Sequence, residues 1–169
     1  AGLFLFIFAF WVPNRIGKDQ DVDWEWFALL GVVFLLITFL RVYHIDEIPA
    51  EPFSDHAEKI LDVFDVSQGK LSIFFERNTG REAFQMYWSL LIMKLFGTGF
   101  SFLGLKIGTV LLGLFTLPFI YLLGLEFGNP LVGFLALFLF GISYWMNVVS
   151  RIGLRFPLYP LFTAATLLY

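Results

Sequence analysis

The sequence predicts an all-α membrane protein, a polytopic transmembrane helical bundle whose long extracytoplasmic first loop carries an interfacial amphipathic helix. Three observations lead there. Of 169 residues, 59% are apolar, 20% aromatic and 15% charged, against roughly 45 to 50% apolar and about 25% charged in soluble domains, and the mean hydropathy is +0.79. Several uncharged runs are long enough to cross a bilayer. Nine of the 14 acidic residues fall between Asp46 and Glu82, so one loop holds most of the polarity. A water-soluble fold would leave large apolar patches facing solvent. The net charge of -3, with basic residues scattered, gives no footprint for nucleic acid. With no cysteine, disulfides and thiolate metal sites are excluded.

The elements follow in chain order within a single membrane domain, 1–169. Residues 1–12 open inside an apolar run and read as a partial helix; no basic segment precedes the run and no small-residue cleavage site follows it, which disfavours a signal peptide. Residues 24–43 make a span, uncharged from Phe27 to Leu40, with Trp24, Trp26 and Tyr43 as aromatic belts. Residues 44–82 form the external loop. Residues 83–96 are either a short span or a helix lying in the interface. Two spans follow at 103–125 and 131–149, inside uncharged runs of 19 and 24 residues (Ile107 to Leu125 and Phe127 to Ser150). At about 1.5 Å per residue each run reaches across a core of roughly 30 Å. Residues 156–169 read as a truncated span, and apolar runs at both ends lead to the expectation that these residues belong to a longer chain.

Within the loop, Ser54 to Ser67 has the spacing of an amphipathic helix. Asp55, Glu58, Asp62 and Asp65 fall within about 80° of one another at about 100° per residue, and Ala57, Ile60, Leu61 and Phe64 take the opposite side. Such a helix lies along the membrane surface with its apolar side down, and Gly69 is placed to end it. Asp55 suits the N-cap, with Glu58 in a capping-box-like position, and Asp62 and Asp65 read as a solvated face. An oxygen-ligated cation at Asp55 and another carboxylate is the functional alternative; a two-histidine zinc site is disfavoured, because His44 lies across two prolines from His56. Arg81 and Glu82, and later Arg151 and Arg155, stand against apolar runs. Charges there either snorkel outward as anchors or mark a substrate pathway. Tyr87, Trp88 and Tyr144 fit interfacial belts or stacking against a bound ligand.

Phe53-Ser-Asp55-His56-Ala-Glu58, then Gly69, then Asn78-Thr-Gly80-Arg81-Glu82-Ala-Phe-Gln-Met-Tyr87-Trp88 resembles the first external loop of the GT-C membrane glycosyltransferases. The likeness is greatest to bacterial relatives of the dolichyl-phosphate-mannose protein mannosyltransferases and of the aminoarabinose lipid A transferase. It continues through Leu95-Phe96-Gly97 and Ser150-Arg151-Ile-Gly153-Leu-Arg155 to Pro160-Leu161-Phe162, covering roughly residues 24 to 169. The resemblance implies a multi-pass enzyme of the cell membrane. It would move a sugar from a polyprenyl-phosphate donor to a protein, lipid or glycan acceptor on the extracytoplasmic side. It makes Asp55 the catalytic base or a metal ligand, Glu82 the second ligand of a divalent metal ion, and Arg81, Arg151 and Arg155 the groups for the donor phosphate. Two positions depart from the family pattern: Tyr159 stands before Pro160 where many members have an acid, and His56 stands where many have Glu. A non-catalytic membrane subunit on the same scaffold is the second function class.

Topology divides the site residues. If 83–96 crosses the bilayer, Arg151 and Arg155 lie opposite Asp55, the arrangement favoured by counting basic residues. If it does not cross, they share a side, as the resemblance implies.

Overall fold

The computed structural model describes residues 24–77 and 80–169. The partial helix expected at 1–12, and Asn78 and Thr79 of the polar turn, lie outside the described residues. Seven helices and one short hairpin are described: α1 (Trp24–Val42), α2 (Ser54–Ser67), β1 (Phe74–Phe75), β2 (Arg81–Glu82), α3 (Phe84–Phe96), α4 (Phe102–Phe127), α5 (Pro130–Ile142), α6 (Tyr144–Arg151) and α7 (Leu158–Leu168). α1 and α4 are long and apolar enough to cross a membrane, and α5 with α6 makes a third such stretch if the bent pair counts as one.

α1 and α4 run antiparallel, as contacts spaced along both show. Trp26 donates to the Tyr121 hydroxyl at 3.0 Å near one end. Val33 and Ile37 pack with Val110, Leu114 and Leu117 in the middle. At the other end Lys106, in the first turn of α4, donates to the carbonyls of Ile45 and Pro49 at 2.7 and 2.6 Å. Residues 43–101 therefore leave and rejoin the bundle at the same end, here termed the loop end. α3, with 13 residues, belongs to that excursion. The Lys106 ammonium, bound to backbone just beyond α1, holds the two ends of this excursion together.

α5 returns alongside α4, with a close approach that glycine permits: a Cβ on Gly124 would stand 2.5 Å from the Gly133 Cα. The expected continuous span at 131–149 is broken instead. The chain bends by 56° between α5 and α6, and the Asn147 side chain donates to the carbonyls of Gly141 and Ser143, both at 2.9 Å, across the break. α6 ends at Arg151, whose guanidinium donates to the carbonyls of Tyr43, His44 and Ile48 at 2.6 to 3.2 Å. Arg151 and Arg155 thus lie at the loop end, not opposite Asp55 as counting basic residues would have it. That rule counts charges near span ends, and here two of them are consumed in holding backbone carbonyls beyond α1.

Around the excursion, Val63 and Val66 of α2 pack with Phe75, Met86, Met93 and Leu105. The antiparallel register Phe74↔Glu82 and Phe75↔Arg81 turns Phe75 into this core and carries Arg81 to α2. The hairpin is an addition to the all-α expectation, too short to read from a period-two pattern.

The Gly124–Gly133 contact makes a direct prediction. Gly124→Ala must push two backbones apart and should destabilise the full-length protein by about 1–3 kcal/mol, read as a lower melting temperature in detergent. Gly31→Ala, with nothing within 4 Å of the added carbon, should leave melting unchanged or raise it slightly through helix propensity.

Candidate functional site

The loop end is organised by the three faces of α2. His56, Lys59, Val63 and Val66 are buried against the protein. Of the expected apolar side, Ala57, Leu61 and Phe64 remain exposed, while Ile60 packs against the core. Within the acidic strip Asp62 is not solvated, which corrects its reading, while Asp65 stays about one quarter exposed. Asp62 is 1% exposed and is paired with Arg77 and, at 3.5 Å, with Arg81. Arg77 also reaches Asp65 at 2.9 Å, and Arg81 reaches Glu58 at 2.7 Å. Glu58 and Asp62 are four residues apart and repel on one helix face; two arginines delivered by the hairpin relieve that repulsion. The hydrogen bond and charge of Arg77 hold the Asp65 carboxyl below its ordinary pKa. The signal for this ladder was present in the sequence as three acids at spacings of four and three, followed by arginines four apart.

The start of α2 differs from the capping box expected at Asp55 and Glu58. Helical structure begins at Ser54, Phe53 takes the N-cap, and its N–H is received by His56 Nδ1 at 3.1 Å. The other ring nitrogen, Nε2, therefore carries the hydrogen and donates to Ile152 O at 2.7 Å. Burial lowers the His56 pKa, so the ring is neutral near pH 7, packed between Phe53 and Phe102. His44, by contrast, is beside Glu47, so the two histidines do not form a metal pair. Asp55 sits half-buried in the first turn of α2, where the positive end of the helix dipole favours a carboxylate.

The second motif joins the first through the segment 152–155. Glu82 is exposed and accepts from Arg155 at 2.9 Å. Its carboxyl is held below the ordinary pKa by a hydrogen bond from its own backbone N–H and also by Arg155. Gln85, buried at the start of α3, donates to Gly153 O at 3.2 Å. Gly153 has φ of +80° and a Cβ there would stand 3.2 Å from Leu105, so glycine lets this turn lie against α4. The stretches around Asp55, Glu82 and Arg155 therefore meet at one end of the bundle. Gln85 and Lys59 were missed by sequence reasoning. Lys59 carries a visible signal, its position four residues after Asp55.

The other predicted groups are committed to protein partners. Arg81 is bound by Glu58 and Asp62, and Arg151 by carbonyls beyond α1. Tyr87 donates to Ser72 O at 2.9 Å and Trp88 Nε1 to Gly108 O at 2.9 Å, which gives both rings fixed structural contacts. Tyr159 is exposed. As for a divalent ion, Glu82 faces Arg155, and among the described residues no group of three His, Asp or Glu converges. Ions such as calcium or magnesium are held by about six or more oxygens, so Asp55 and Glu82 do not by themselves supply the donor set. Comparison with known protein families, with curated proteins and with solved structures finds no match.

Lys59 generates a pH prediction. Burial, with the neighbouring Arg81 adding to it, lowers its pKa from 10.5 to about 8. Between those values the unfolded chain binds the proton and the folded protein does not, so stability rises with pH across that window. Melting temperature in detergent should climb from about pH 8 to pH 10.5, and Lys59→Met should reduce that climb while raising stability at pH 7. In the same assay Arg81→Ala should cost about 1–3 kcal/mol, because the part-exposed Glu58 loses its partner while the buried Asp62 keeps Arg77.

Proposed function

We propose that the loop end transfers a sugar from a polyprenyl-phosphate carrier to an acceptor outside the cytoplasm, as the resemblance to the GT-C glycosyltransferases implies. The observation that supports the reading is the meeting of three stretches far apart in sequence, around Asp55, Glu82 and Arg155, linked by the Arg155–Glu82, Gln85–Gly153 and His56–Ile152 contacts. A chemistry shared among these motifs needs them on one side of the membrane. In this reading α1, α4 and the bent α5–α6 pair cross the bilayer. The stripe of Ala57, Leu61 and Phe64 on α2 rests on the outer lipid surface.

The reaction asks two things of the protein. An acceptor hydroxyl or amine must lose its proton as it attacks the anomeric carbon of the donor, and the Asp55 carboxylate takes it, an effect worth on the order of 10² to 10⁴ in rate. As the new bond to the sugar forms, the bond from the anomeric carbon to the carrier phosphate breaks, and the electron pair leaves on the phosphate oxygen. Arg155 is the group for that developing charge: it is about one third exposed and its partner Glu82 is mostly exposed, so a phosphate can replace a carboxylate in a bidentate grip. Lys59, close enough to Asp55 and Arg155 to be influenced by both charges, adds positive potential. A non-catalytic subunit is the second reading, favoured by Tyr159 in place of an acid and by the protein partners of Arg81 and Arg151.

The test is sugar transfer from radiolabelled polyprenyl-phosphate donor by membranes carrying the full-length protein. Asp55→Asn should reduce transfer by about 10²-fold or more, Arg155→Ala should lower it with a raised KM for donor, and chelation should leave the wild-type rate intact. Equal transfer by wild type and Asp55→Asn would remove Asp55 from the mechanism. No transfer by any variant, wild type included, would favour the subunit.

A further inference from the structure

The interior of the bundle holds a cation that the transfer chemistry does not use. Arg41, in the last turn of α1, is 0% exposed. Its Nε, Nη1 and Nη2 are all buried without a hydrogen-bond partner. No ion pair joins it to a carboxylate among the described residues, and its guanidinium lies within the core between α1, α4 and α6. Lys106 and Arg151, two further cations nearby, are held by carbonyls beyond α1 and bring no negative group toward Arg41. An ionised group taken out of water without a partner costs several kcal/mol even after relaxation, and a guanidinium does not escape the cost by losing its proton.

Beside Arg41 lies a cavity of about 10 Å³, lined also by Gly113, Thr116, Met146, Ser150, Pro157 and Pro160. That volume admits about one water-sized species and excludes a phosphate or a carboxylate-bearing metabolite. Its wall is made for closeness to the guanidinium: a Cβ on Gly113 would stand 2.7 Å from Arg41 Nη1 and 3.0 Å from Ser150 Cβ. The hydroxyls of Ser150 and Thr116 donate to Asn147 O and Leu112 O and are able to turn toward an occupant. A neutral occupant would accept hydrogen bonds and leave the charge in place, whereas a single-atom anion answers both needs.

We propose that Arg41 and this cavity form a binding site for one small monatomic anion of the halide class, built into the bundle behind the loop end. The bound anion ties α1 to α4 and α6 through Arg41, whether or not the loop end transfers a sugar. The experiment is thermal unfolding of the purified full-length protein in detergent, with chloride exchanged for gluconate at constant ionic strength. Chloride should raise the melting temperature along a saturating curve by about 2–4 °C or more, as ligand binding to the native state requires, and bromide should substitute for it. Gly113→Ala, which narrows the cavity and keeps the charge, should weaken the response, and Arg41→Met should abolish it. If Arg41→Met does not fold, Gly113→Ala alone decides. A wild-type melting temperature indifferent to halide, or a response that survives unchanged in Gly113→Ala or in a folded Arg41→Met, overturns the proposal.

Discussion

Everything at the loop end depends on how the chain is held where it leaves α1. The final carbonyls of a helix have no partner within it, and the turn that follows adds several more. Here Lys106 of α4 takes those of Ile45, Asp46 and Pro49, and Arg151 of α6 takes those of Tyr43, His44 and Ile48. Two cations from two other helices thereby converge on one short stretch. Positive groups also suit the negative end of the α1 dipole. Because Lys106 lies near the start of α4 and Arg151 closes α6, the same bonds put the start of one helix and the end of another beside the exit of α1. The excursion 43–101 must then fold over this junction.

The excursion has its own organising interaction, the ladder from Glu58 through Asp62 to Asp65 against Arg81 and Arg77. Buried ion pairs of this kind contribute less to net stability than to arrangement, since desolvation offsets much of their attraction while loss of one partner is costly. What the ladder fixes is the position of Glu82, one residue beyond Arg81, which meets Arg155. The neutral His56 ring, reaching Ile152, fixes the same segment from the α2 side. Asp55, Glu82 and Arg155 are consequently presented by elements held through separate contacts, an arrangement suited to a site that must keep its geometry while charge moves.

Much of this was legible in the sequence. Span lengths follow from uncharged runs, and α1 and α4 fall within two residues of 24–43 and 103–125. Ser54 to Ser67 and its exposed apolar stripe follow from helical periodicity. What could not be read is every feature that needs a partner distant in sequence. Acids on one helix face look solvated until arginines 12 to 23 residues away are brought over them. Asp55 looks like a cap until His56 is seen to take the N-cap N–H. Arg151 reads equally as an anchor or a phosphate ligand, and its actual partners lie more than 100 residues earlier. The break at Ser143 has no proline beside it to announce it. Fold class was therefore accessible from one-dimensional pattern, while side-chain roles depended on long-range contacts.

The central claim is that the stretches carrying Asp55 and Arg155 lie on one side of the membrane. This chain contains no cysteine, so single cysteines report cleanly. Ile73→Cys, at a highly exposed position in the same excursion as Asp55, and Arg155→Cys should be compared in intact cells with a membrane-impermeant maleimide. The account predicts that both are labelled under the same condition, before permeabilisation. Labelling of Ile73→Cys in intact cells with Arg155→Cys labelled only after permeabilisation would contradict it.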